Sequence, residues 1–219
     1  MKIQTVVFDM DGVLFDTERL CMKGWREVGH AGGYGKAAEM GEMCIGLNAN
    51  DTRALILSEC GEDFPFDAYM SEISAWMRDS IDRGGLPVKD GVREILQYLK
   101  ENGFRIALAS SSRRESVMRH LERAGLTDYF ETVIGGDMVK HSKPRPDIYR
   151  MACGELGINP AEAYAIEDSP NGIRAAYSAG MQAIMVPDLI APTEEMRQLS
   201  CVICKDLFEA KQYIEEKNQ

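Results

Sequence analysis

The sequence predicts an α/β protein: a doubly wound parallel sheet with helices on both faces, interrupted once by an insertion of helices. Three observations predict it. Short apolar runs alternate with helix-length amphipathic stretches over most of the 219 residues, as in a chain of βαβ units. One interval, residues 17–86, breaks that alternation and offers helical patterns alone. Polar clusters fall where the apolar runs stop, at the strand ends where open parallel sheets bind ligands beside helix N-termini. The expected division is a core of residues 1–16 and 87–219 with a helical domain of residues 17–86 inserted in it.

The elements follow in order. Residues 2–9 read as the first strand. The stretch MSEISAWMRDSI (70–81) marks a helix of the insertion, which returns through Gly84-Gly85-Leu86-Pro87, a hinge-like pairing of flexible and rigid residues. DGVREILQYLKEN (90–102) has apolar residues at helical spacing and stops at Gly103, and FRIALAS (104–110) follows as the second strand. A helix over residues 113–124, a strand at 132–134 and a helix at 146–156 come next. AYAIED (163–168) is the fourth strand, residues 171–179 a helix, MQAIMVP (181–187) the fifth strand and CVIC (201–204) the sixth, before a tail helix. Ser112 and Asn171 read as helix N-caps.

With 35 Asp+Glu against 25 Lys+Arg the net charge is −10, which disfavours nucleic acid and anionic membrane surfaces as partners. No apolar stretch approaches the ~20 residues of a membrane span, and the N-terminus runs straight into a strand. The expectation is a cytoplasmic monomer acting on a small molecule, its six cysteines free thiols. Cys201-x-x-Cys204 reads as core packing, because no second ligand pair accompanies it.

The chemistry gathers at the strand ends. VVFDMDGVLFDTE places Asp9, Asp11 and Asp16 after the first strand; Ser110-Ser111-Ser112 closes the second, His141-Ser142-Lys143-Pro144 follows the third, and Glu167-Asp168 closes the fourth. Two carboxylates one residue apart repel each other, and two more at the same edge need compensation. An all-oxygen donor set of Asp9, Asp11, Glu167 and Asp168 suits a hard divalent ion, Mg²⁺. Beside such an ion, Lys143 and the Ser110 hydroxyl make a pocket for phosphate. Asp9 is then an ionised nucleophile needing no base, and Asp11 a proton donor to the leaving oxygen and acceptor from the attacking water. Ser111, Arg53 and His141 are candidate substrate contacts, and Asp16 a structural residue of the loop leading into the insertion.

These residues carry a family resemblance. DMDGVLFDTE, ALASSS, SKPRPDIY and IEDSPNGIRAA together resemble the four motifs of the haloacid dehalogenase superfamily, and the chain is most similar to its β-phosphoglucomutase-like branch. The resemblance implies a Rossmann-like core and a helical cap over residues 17–86 that chooses the substrate. It implies Asp9 as nucleophile, Asp11 as acid/base with its backbone carbonyl on Mg²⁺, and Asp168 as a metal ligand. The second aspartate implies phosphoryl transfer rather than dehalogenation, which needs no proton for its leaving group. Where the branch's mutase places a His and an Arg in the cap, this sequence holds Cys21 and Ala49, with Arg53 one turn beyond. The expected function is therefore a Mg²⁺-dependent phosphatase of a phosphosugar. A sugar phosphomutase is the alternative. From another class, a phospho-accepting receiver domain would place its acceptor aspartate at the end of the third strand, where this chain has Gly135-Gly136.

Overall fold

The structure, a computed structural model, describes residues 2–45, 47 and 49–218, with Ala49 described in its backbone alone. Strands at Thr5–Phe8 (β1), Arg105–Ser110 (β2), Thr132–Gly135 (β3), Tyr164–Glu167 (β4), Gln182–Met185 (β5) and Val202–Ile203 (β6) form one parallel sheet. Its order is β3-β2-β1-β4-β5-β6, so the chain winds outward in both directions from β1 and β4, and the sheet is doubly wound. Val7 stands between Ala107 and Ala165 in register, which sets the carboxyl ends of β1 and β4 side by side at the reversal point.

The chain divides into two compact units, residues 1–15 with 88–219, and residues 16–87. The smaller unit is helical: α1 (Thr17–Ala31), α2 (Gly35–Ala38), α3 (Ala49–Cys60) and α4 (Phe66–Gly84). Its interior is built on Trp25, Ile56, Tyr69 and Ile73. Tyr69 packs edge-on to Trp25 at 5.3 Å between centroids and donates its hydroxyl proton to the Trp25 carbonyl at 2.7 Å, so the buried phenol is satisfied.

In the larger unit the helices are α5 (Val92–Glu101), α6 (Arg114–Ala124), α7 (Asp147–Glu155), α8 (Pro170–Ala179), α9 (Glu194–Leu199) and α10 (Leu207–Asn218). Alternate strand residues Ala107, Ala109, Ala165 and Ala183 share a core with Ile148 and Tyr149 of α7 and Ile173 and Ala176 of α8. The intervening Ile106, Leu108, Ile166 and Ile184 are buried as well, so both faces are covered and the strands read as continuous apolar runs.

Three local expectations need correction. The first strand begins at Thr5 rather than Lys2. Ser169, not Asn171, caps α8, its side chain accepting from Gly172 N–H, while Asn171 Oδ1 accepts from Arg174. Arg113, not Ser112, stands at the cap position of α6 and makes no side-chain cap, while the Ser112 hydroxyl donates to Asp11. The six-residue α9 lies inside a stretch read as loop; it is too short to show a period. All six cysteines are free thiols, with Cys201 and Cys204 either side of β6. Among the described residues no helix is long and apolar enough to cross a membrane.

Candidate active site

Asp9 follows β1 directly, its N–H bound to the Ile166 carbonyl of β4 at 2.9 Å. The chain then turns tightly, with Leu14 N–H on the Met10 carbonyl (2.8 Å) and Gly12 N–H on the Phe15 carbonyl (2.9 Å). Gly12 has φ +80°, a conformation that side chains resist, and a β-carbon there would stand 2.2 Å from Asp168 Oδ2. Glycine is thus required twice over: it makes the turn and admits the Asp168 carboxylate against it.

Lys143 reaches this point from the loop after β3, through a cis peptide to Pro144. Its ammonium donates to Asp9 Oδ1 at 2.5 Å, Glu167 Oε1 at 2.6 Å and the Ala109 carbonyl at 3.1 Å, which uses all three of its protons. Glu167 Oε1 also accepts from the Tyr149 hydroxyl at 2.9 Å. Glu167 Oε2 accepts from Asp168 N–H, Ser169 N–H and the Ser169 hydroxyl at 3.0, 3.2 and 3.1 Å. The ring of Tyr149 lies 4.9 Å from the ammonium.

Burial governs the charges. It pushes the Asp9 carboxyl up, against the opposing pull of Lys143, and Glu167 and Asp11 push it further. Burial would likewise raise Glu167, but the Lys143 charge and its hydrogen bonds from Lys143, Ser169 N–H and Tyr149 hold it below its ordinary value. Burial opposes the charge on Lys143 too, yet Asp9 and Glu167 together hold its ammonium well above the usual range. Oxygens of Asp9, Glu167 and Asp168 lie within 4.8 Å of one another, beside the Lys143 ammonium. A buried oxygen-only set of carboxylates fits a hard divalent cation.

The structure therefore brings together Asp9, Lys143, Glu167 and Asp168, each no more than 9% exposed. Asp11 joins them by the charge it exerts on Asp9; the Ser112 hydroxyl donates to Asp11 Oδ2 at 3.1 Å, and Ser110 is fully buried, its Oγ accepting from Ser112 N–H. Ser111 is exposed, although its carbonyl lies close against Gly136. His141 is half-exposed and bound to Asp147 at 2.8 Å. Arg53 belongs to the helical unit, paired with Asp67 and lying over the Phe66 ring at 4.6 Å. Cys21 is half-buried in that unit, and the side chain of Ala49 lies outside the described residues. Sequence reasoning missed Ser112, which looked like a cap, and Tyr149, which looks like any apolar helix position. Strand β3 ends in Gly135, so no acidic acceptor stands where a receiver would need one.

The family model for haloacid dehalogenase-like hydrolases matches residues 6–186. A phosphorylated carbohydrates phosphatase of Thermotoga maritima is 29% identical over 83% of this chain and 84% of its own. A fructose-1-phosphate phosphatase of Escherichia coli is 33% identical over 83% of this chain and 95% of its own. Among solved structures, a β-phosphoglucomutase of Clostridium difficile superposes with a TM-score of 0.78 at 25% identity, covering 99% of this chain and 97% of that one.

Proposed function

Because the chain belongs to the haloacid dehalogenase-like hydrolase family and is a phosphohydrolase by its relatives, we propose that it is a Mg²⁺-dependent phosphatase of a small phosphosugar, working through an aspartyl-phosphate on Asp9. The observation that carries this reading is the setting of Asp9: one carboxylate oxygen on Lys143, and Glu167 and Asp168 within 4.8 Å. Asp9 and Asp168, with the Asp11 backbone carbonyl, would hold Mg²⁺, which when bound supplies positive charge to the transferring phosphoryl oxygens.

The chain's own residues do the rest. Lys143 neutralises the charge of Asp9, so that a carboxylate can approach a dianionic phosphate, and its fixed positive charge lies beside the transferring group. Asp9 attacks phosphorus and the sugar alkoxide leaves. Asp11 gives that oxygen its proton and then takes one from the water that attacks the aspartyl-phosphate, returning Asp9 and releasing phosphate. Ser112 holds the Asp11 carboxylate in place for both transfers.

A sugar phosphomutase is the second reading, favoured by the likeness to the β-phosphoglucomutase structure. It differs only in the acceptor of the phosphoryl group. A phosphate-release screen over phosphosugars, nucleotides and other phosphomonoesters, with Mg²⁺ and with EDTA, separates the two. Mg²⁺-dependent release is the expected result; interconversion of sugar phosphate isomers without release would move the assignment to the mutase.

A further inference from the structure

The Glu167 carboxylate is 1% exposed in its side chain and takes five donors, two on Oε1 and three on Oε2. A carboxylate offers about four lone-pair sites, so none is left over. Above it, α8 leaves no room to turn, because a β-carbon on Gly172 would already stand 1.8 Å from its Cδ. Proximity to Asp9 and Asp168 therefore does not make Glu167 a metal ligand. Its fixed end is Ser169 and the two backbone N–H groups, and its working end is Oε1, shared by Lys143 and Tyr149. Tyr149 touches both partners there, Oε1 by its hydroxyl and the Lys143 ammonium by its ring face.

We propose that Tyr149 is a positioning residue that acts through Glu167, and that Glu167 serves to aim the Lys143 ammonium at Asp9 rather than to bind metal. Two anchors are needed to aim an ammonium on a flexible four-carbon stem. The Ala109 carbonyl is one, and Glu167, oriented by Tyr149, is the other. Without the Tyr149 proton, Oε1 loses the neutral donor that fixes its direction, and the ammonium shifts relative to the nucleophile. The proposal rests on the phosphatase reading for its kinetic consequence and is independent of it for the metal.

Two variants test it. In Tyr149→Phe the buried ring stays and the proton goes: kcat for p-nitrophenyl phosphate should fall about tenfold, with KM within about twofold of wild type. Calorimetric titration with Mg²⁺ alone, without substrate, should give the same affinity in wild type, Tyr149→Phe and Glu167→Gln, while Asp168→Asn weakens binding by at least about thirtyfold. An unchanged kcat in Tyr149→Phe, accompanied only by a lower melting point, would reduce Tyr149 to packing and overturn the proposal. A loss of Mg²⁺ affinity in Glu167→Gln as large as that in Asp168→Asn would make Glu167 a ligand and overturn it as well. Should Glu167→Gln fail to fold, Tyr149→Phe decides. A wild-type protein that releases no phosphate would refute the phosphatase reading, and the calorimetry would still decide the role of Glu167.

Discussion

The Glu167 carboxylate occupies the space that a side chain on Gly172 would need, with Glu167 Cδ 1.8 Å from the place of its β-carbon. The N-terminal turn of α8 and the end of β4 are thereby locked together, Ser169 serving both, as cap of the helix and as donor to Glu167. Gly172→Ala forces the buried carboxylate out of its five-donor nest. Overpacking of this kind destabilises by about 1–3 kcal/mol, and urea denaturation should show at least that loss. Phosphate release should fall with it, because Lys143 is held by the displaced group.

Asp11 and Asp16 sit five residues apart in one acidic stretch and should behave differently. Asp11→Asn removes the proton that the leaving oxygen needs, so kcat should drop by about a hundredfold or more with the melting point kept. Asp16 forms an exposed pair with Arg19 at 2.9 Å, three residues along the chain at the start of α1. Such a pair contributes about 0.2–0.5 kcal/mol, so Asp16→Asn should stay near wild type in both stability and turnover. Parallel kinetics and melting curves of the two variants check this.

His120 on α6 packs edge-on to Phe15 at 6.0 Å, with its Nδ1 buried and lacking a hydrogen-bond partner. Burial lowers its affinity for a proton below the ordinary value of 6.5; Asp11 opposes this, and Arg123 and Arg119 reinforce it. The unfolded chain therefore binds the proton more tightly than the folded one. The neutral ring's contribution to stability is present above 6.5 and is lost as pH falls through 6.5 toward the folded value. Urea midpoints measured at about pH 8 and about pH 5.5 should separate more in wild type than in His120→Leu, whose acid limb should be flatter over that window.

Much of this was legible in the chain. Apolar runs such as VVF and IALA, buried on both faces, are unmistakable as parallel strands, and acids placed directly after them have no packing reason to be there. Lys143 was legible because a lysine in the loop after the third strand supplies positive charge for the anion the acids would serve. Ser112 and Tyr149 were not, because a serine before a helix has a cap role available and a tyrosine on an apolar face has a core role available. Only tertiary placement shows that one reaches Asp11 across 101 residues of chain and the other reaches Glu167 from α7. Glu167 was legible as one of four carboxylates gathered at one sheet edge; the donors that surround it come from three separate segments and leave no trace in spacing.

That Asp9 is the group which takes the phosphoryl group is tested most directly by comparing Mg²⁺-dependent phosphate release in wild type and Asp9→Asn, with melting curves of both. Wild type should release phosphate with Mg²⁺ and none in EDTA, while Asp9→Asn keeps a cooperative melting transition and falls to background. Turnover retained in Asp9→Asn would contradict the account.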